Sequence, residues 1–193
     1  MAAISASDLT SIAAFWRSAG PQAWFLSDPV FDAEIAIRFG DRISAAVTAL
    51  QAGPHPGEDD AEAALGLCIL MDQFPRNIYR GLALSWKHDP LALAAARRIV
   101  GANRDLEIEG PVRQFFYTPF MHAEDAETQA ESVMLYAERL GDENNSRHAR
   151  AHLNIIEKFG RFPTRNAVLG RALTEAERRW LAEEGYGAEL NAA

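Results

Sequence analysis

Cysteine is all but missing from this chain. Cys68 stands alone, which excludes an internal disulfide and any thiolate metal cage built within one chain. Its neighbours Leu67, Ile69, Leu70 and Met71 predict a buried, inert thiol rather than a nucleophile. Positive charge is also in short supply, with 19 Lys and Arg against 27 Asp and Glu, a net charge of −8 and a pI near 5.1. Such a field repels phosphate backbones and anionic head groups, so neither nucleic acid nor a membrane surface is expected as a partner. No uninterrupted apolar run is long enough to span a membrane, and Asp8 near the start follows no positive stretch of the kind a signal peptide carries. A soluble, cytoplasmic protein is the expectation. β-Branched residues are too scattered to make strands.

What is present is helical periodicity along nearly the whole chain. At 193 residues a single domain spanning the chain is expected, able to bury roughly 70% of its unfolded surface. Ser7 and Asp8 open a first helix that Gly20 and Pro21 close, and a second runs from Asp32 through Leu50. From Glu58 to Phe74 the chain is apolar on almost every side, the pattern of a helix surrounded by others. Asp89-Pro90 reads as a cap with a first-turn proline, and the helix it opens ends at Gly101. Pro111 begins a short aromatic segment toward Phe116. Long helices follow from Glu124 to Leu140 and from Asn145 to Phe159, with Gly141 and Gly160 as stops. Thr174 and Glu177 form a capping box for a last helix containing Trp180 and Leu181. Helices of similar length joined by short turns predict an all-α, antiparallel array.

One short phrase occurs twice: Phe74-Pro75-Arg76-Asn77, then Phe162-Pro163-Thr164-Arg165-Asn166 with one threonine inserted. A structural reading explains both copies, because proline stops a helix, arginine covers its last carbonyls and asparagine tolerates a left-handed turn. A functional reading has Arg76, Asn77, Arg165 and Asn166 converging on a carboxylate or phosphate, to which the planar guanidinium fork is suited. Asp72 shares a stripe with Leu65, Cys68 and Ile69, so it is expected to be buried and to draw in Arg76, Arg80, Arg161 or Arg165. It reads either as a base or as half of an internal ion pair. His152 shares a stripe with Ile155, Ile156 and Phe159, and His148 stands one turn before it. Paired histidines of this spacing hold zinc when a third ligand is supplied, but Ala149 occupies the place of the glutamate in the helical HExxH pattern. No metal and no cofactor are expected. His122, Glu124 and Asp125 stand where an aromatic segment turns into a helix, and suit either a pocket or a cap. Gln129, in line with Val133, Tyr136 and Leu140, is placed to reach the same interior.

The phrases Leu70-Met71-Asp72-Gln73-Phe74-Pro75-Arg76-Asn77-Ile78-Tyr79-Arg80-Gly81, Phe115-Phe116-Tyr117 through His122 to Glu124-Asp125, and Phe159-Gly160-Arg161-Phe162-Pro163 to Arg165-Asn166 resemble an uncharacterised bacterial family, the domain of unknown function nine-two-four. The resemblance extends over nearly the whole chain, from Phe15-Trp16 through Phe31-Asp32 and Arg38-Phe39 to Leu169-Gly170-Arg171. It implies a tetratricopeptide-like right-handed superhelix, an array of about eight to ten helices with no established activity. Carried over by position, the family's motif residues are Asp72, Gln73, Arg76, Asn77, His122, Glu124, Asp125, Gln129, His152, Arg161, Arg165 and Asn166. Where the family has histidine, this chain has Thr164, which weakens a proton-transfer role at that position.

Three functional readings follow. In the first, the chain is a ligand- or peptide-binding module: Arg76 and Arg165 clamp a small anionic group or a peptide terminus, Asn77 and Asn166 orient it, and His122 and His152 add hydrogen bonds. Tyr79, Phe116 and Tyr117 form the apolar wall. In the second, a hydrolase or lyase uses Asp72 or Glu124 as base and His122 or His152 as acid. In the third, the polar cluster is wholly internal and the protein is an interaction scaffold. Trp24 and Trp86 suit equally a contact between copies of the chain or a satellite core.

Overall fold

The computed structural model describes residues 3–193, the side chain of Glu184 apart. It is helical, with no strand among the described residues. The chain divides into two compact units, Met1–Pro119 and Phe120–Ala193.

The first unit is organised around α1 (Ala6–Trp24), α2 (Pro29–Ala52) and a helical path through its centre. Ser5 caps α1 in a reciprocal box with Asp8, and Asp28 caps α2 by accepting from Val30 and Phe31. Gly20, at φ 78°, kinks α1 just ahead of Pro21 instead of ending it. The central path begins at α3 (Ala61–Cys68), widens into a single π turn over Ile69–Gln73, and continues as α4 (Phe74–Ile78). Every residue from Ala63 to Pro75 is buried, as a stretch apolar on almost every side predicts, and Asp72 and Gln73 are buried with it. α1 crosses α3 so closely that a Cβ on Gly66 would lie 1.9 Å from the Leu9 carbonyl oxygen.

The expected stop at Pro75 does not occur, because the π turn accommodates it. Phe74 N–H donates to the Ile69 carbonyl five residues back, and the wider turn relieves the clash a proline ring makes with the preceding turn of a regular helix. The core of this unit is aromatic: Trp16 packs on Trp24, Phe31, Phe74 and Phe115 with ring centres 5.4–6.5 Å apart. Burying each such ring contributes roughly 2–3 kcal/mol. Trp24 is buried there and donates to the Trp16 carbonyl at 2.7 Å, so it offers no surface to another copy.

α5 (Asp89–Gly101) follows, then a 3₁₀ turn over Pro111–Phe116 and the short α6 (Thr118–Met121). In the second unit, α7 (Ala126–Met134) with a π turn over Leu135–Leu140 packs against α8 (Glu143–Phe159). Gly141 and Gly160, both left-handed at φ 68° and 70°, end these segments as expected. α9 (Glu175–Arg179) opens on the Thr174–Glu177 capping box, passes through a π turn over Trp180–Glu184, and is followed by α10 (Gly185–Ala192), which packs on α8. Ile155, Ile156, Phe162 and Trp180 form the core of this unit, with Phe159 and Tyr186 against it. No helix among the described residues is long and apolar enough to cross a membrane.

Candidate functional site

In the first unit the Arg-Asn phrase is occupied by aspartates. Asp72, fully buried within the π turn, faces Arg76 Nη1 at 3.1 Å and accepts from Gln73 Nε2 at 2.6 Å. Arg76 also donates to the Asp72 carbonyl at 2.5 Å and forks onto Asp89 at 2.8 and 3.0 Å. Burial works against its charge, but Asp72 and Asp89 more than offset this and hold it above the usual arginine range. Of the four arginines expected near Asp72, Arg76 is thus a partner, whereas Arg80 pairs with Asp32 at 2.9 and 3.0 Å. Asp89 does not cap α5, whose N-terminus has no side-chain cap bond, because its carboxylate lies on Arg76 instead. Asn77 donates to Asp32 at 2.7 Å. Phe116 and Tyr117 are fully buried, and Tyr117 donates to Asp105 at 2.7 Å.

The second copy has different partners. Gly160 ends α8, and Pro163 opens a single 3₁₀ turn through Arg165. Arg161 forks onto Glu177 at 2.7 and 2.9 Å and reaches the Ala172 carbonyl, while Asn166 donates to the same carboxylate at 3.1 Å. The Arg161 bonds, with the Thr174 amide and Asn166, hold the Glu177 carboxyl down to about 2. Neither asparagine takes the left-handed geometry a turn would favour, since Asn103 is the one non-glycine at positive φ among the described residues. Each spends its amide on a carboxylate.

Glu124 is not in the first turn of a helix, as its position suggested. It lies just before α7, accepts from the Phe162 amide at 2.8 Å and is gripped by Arg171 at 2.6 and 3.0 Å. Burial alone would raise its pKa, but Arg171 and the Phe162 amide bring it below the usual carboxylate range. Asp125 is the cap of α7, bonded to the Thr128 amide and hydroxyl at 2.7 Å each. Gln129, fully buried, forks its amide onto the Met121 and Ala123 carbonyls at 2.7 Å each, which fixes the segment carrying His122.

His152 links the Phe162 ring to a second imidazole, His122. His152 packs edge-on to the Phe162 ring at 5.5 Å, and the His122 ring centre is 6.5 Å from that of His152. Arg165 lies over Phe162, its Cζ 4.5 Å from the ring centre, and donates to the His122 carbonyl at 3.1 Å. His152 Nδ1 is 2.7 Å from the His148 carbonyl oxygen. A carbonyl only accepts, so Nδ1 carries the proton and the lone pair of the neutral ring is on Nε2. Burial first, then repulsion of a charged ring by the neighbouring His122, His148 and Arg165, lowers His152 to about 3 despite that hydrogen bond. The Tyr186 hydroxyl stands 2.6 Å from His148 Nδ1 and 3.4 Å from His152 Nδ1, and burial pushes its pKa up to about 12.

No group of three or more His, Cys, Asp or Glu among the described residues is placed to hold a metal ion. Asp32, Asp89 and Tyr186 carry no local sequence signal for these contacts, since each meets its partner from a distant stretch of chain. Glu177 and Arg171 stand in recognisable segments, but nothing in those segments names their partners.

Comparison with known proteins agrees with the fold. The model of a bacterial protein family of unknown function, DUF924, matches residues 12–185. The solved structure of a protein of unknown function, ATU0120 from Agrobacterium tumefaciens, is 40% identical, covers 93% of this chain and 99% of its own, and superposes with a TM-score of 0.85. No curated protein matches. The chain is therefore a member of the bacterial DUF924 family.

Proposed function

We propose that this protein is a binding module, and that residues of the second unit, His122, His152 and Arg165 around Phe162, hold a small anionic group such as a carboxylate, a phosphate or a peptide terminus. A cytoplasmic location and a tetratricopeptide-like stacking of the helical hairpins belong to the same reading. The observation that carries it is the state of His152: half-buried, neutral, and fixed in one tautomer by the His148 carbonyl. Arg165 disfavours a further proton on His152, and its permanent charge gives this spot a positive potential inside a chain of net charge −8. That potential favours an anion, and the Nε2 lone pair adds an acceptor for a ligand N–H or O–H.

The first copy of the phrase supports a structural role instead. One guanidinium, Arg76, meets two carboxylates, Asp72 and Asp89, a balance that disfavours a further anion. An enzymatic role gains less support. A histidine whose pKa lies near 3 holds no proton to give at neutral pH, and a carboxylate gripped by arginine, such as Glu124, is a weak base.

Thermal-shift titration with phosphate, acetate, citrate and a short peptide, with its C-terminus free or amidated, tests the reading. A ligand at a hundredfold excess over Kd stabilises by about 2.7 kcal/mol, several degrees in Tm. We expect one of these anions to do so, and Arg165→Ala and His152→Ala each to abolish the shift. No shift, or one that both variants leave intact, overturns it.

A further inference from the structure

α10 differs from the other long helices in how it is held. None of its residues is buried, so little apolar area fastens it to α8. Polar contacts do most of that work. The Tyr186 hydroxyl meets His148 Nδ1 at 2.6 Å, Arg147 and Arg150 donate to the Leu190 and Ala193 oxygens at 3.0 Å, and Glu189 accepts from Trp180 Nε1 at 2.9 Å. The one aromatic anchor is Tyr186, stacked on His148 with ring centres 5.9 Å apart and edge-on to His152 at 5.2 Å. The helix joins α9 through Gly185, whose φ of 62° and ψ of −171° belong to a region that only glycine occupies at low cost. Segments with few buried apolar contacts and solvent-reachable hydrogen bonds sit at the low end of local stability.

We propose that residues 185–193 form a strap, hinged at Gly185 and latched by Tyr186, that closes over His148 and His152 and gates access to the His152 ring. Closed, the strap sets the Tyr186 ring edge-on against His152, so the imidazole stays desolvated. Open, it leaves both imidazoles to solvent and to any incoming group; the core gives up Tyr186 at its edge, while Ile155, Ile156, Phe162 and Trp180 stay packed on one another. The strap deepens the binding reading by supplying an entry step, and it rests on that reading only for its purpose. The geometry that allows it to open belongs to α10 itself.

Hydrogen exchange on the full chain, read by mass spectrometry, tests opening directly. Amides of 186–192 are expected to exchange far faster than those of 149–157, by a route insensitive to low denaturant. Tyr186→Phe, which removes one hydrogen bond and keeps the ring, is expected to speed that exchange about fivefold. Carbethoxylation of His152 by diethyl pyrocarbonate should rise in parallel. Tyr186→Ala should raise both further. If α10 exchanges only with global unfolding, or if Tyr186→Phe speeds exchange without changing His152 modification, the strap is overturned. Stopped-flow mixing with phosphate separates the two ideas: a strap that opens in a protein no tested anion binds removes the binding reading alone, and binding at equal rates in wild type and Tyr186→Phe removes the gate alone.

Discussion

His152 donates its Nδ1–H to the carbonyl oxygen of His148, one turn earlier on the same helix, at 2.7 Å. The bond fixes the tautomer, and burial lowers the ring's pKa to about 3. The folded state therefore disfavours the proton that an unfolded histidine takes up below about pH 6.5. Stability from this group is complete above that pH and is lost as pH falls from 6.5 toward 3. Between pH 7 and pH 5 the loss amounts to about 2 kcal/mol. His152→Gln, which can still donate to the carbonyl but does not titrate, should flatten the Tm profile between pH 6.5 and 4.5. In ¹⁵N spectra at neutral pH the wild-type ring should show the Nδ1–H form. A ring that titrates near 6 refutes this.

Arg76 keeps a fully buried carboxylate company, and the consequence is asymmetric. Arg76→Ala takes the facing cation from Asp72 and strands charge in the core, at a cost of about 3–5 kcal/mol. Arg76→Lys keeps the charge but loses the fork on Asp89, so it should fall between wild type and Arg76→Ala. Asp72→Asn in the Arg76→Ala background should recover part of the loss, because an uncharged amide needs no cation. Urea titration of the four proteins measures this. If the double variant is less stable than Arg76→Ala, Asp72 is stabilised by something other than Arg76.

Much of this architecture was legible before any coordinates. Gly141 and Gly160 mark true stops, Thr174 and Glu177 form the box their spacing announces, and the stretch from Glu58 to Phe74, apolar on almost every side, contains the buried path that runs from Ala63. The π turns were not legible. One extra residue in a turn changes neither composition nor, over five residues, the apolar pattern, so Pro75 looked like an end. Asp89 before Pro90 carries the signature of a cap, and only the fold brings Arg76 within reach of it. The contacts of Tyr186 with His148 and of Glu124 with Arg171 join residues far apart in the chain, which spacing rules for single helices do not address. Candidate residues could be named, but their pairings are properties of packing.

Gly66 is the point at which α1 and α3 cross, and its hydrogen cannot be replaced. A methyl there would sit 1.9 Å from the Leu9 carbonyl oxygen and 2.6 Å from its carbon, both backbone atoms that move only with the whole helix. Gly66→Ala should cost about 3 kcal/mol or more. Gly40 is the control: it lies within α2 with nothing within 4 Å of an added Cβ, so Gly40→Ala should be neutral or stabilising by about 0.5–1 kcal/mol. Equal effects of the two substitutions in chemical denaturation would mean that the helix crossing is looser than 1.9 Å implies.

Glu177 gathers four donors, two from Arg161 and one each from Asn166 and the Thr174 amide. The bonds to Arg161 do most to hold its carboxyl down to about 2. A depressed carboxylate stabilises the fold above its ordinary pKa, and that stability is lost as pH falls from about 4.5 toward 2. This window lies below most of the one assigned to His152, so the two are separable in a single series of melts. Glu177→Gln keeps the shape but turns one oxygen into a donor facing other donors, so it should lower Tm by several degrees at pH 7. Its deficit should shrink as the pH drops below 4.5, where the wild-type carboxylate is being lost as well. Arg161→Ala should also lower Tm, and the double variant should lose clearly less than the two single losses added, because each removes the same contact. Additive losses, or a deficit constant with pH, would show that Arg161 and Glu177 contribute through other neighbours.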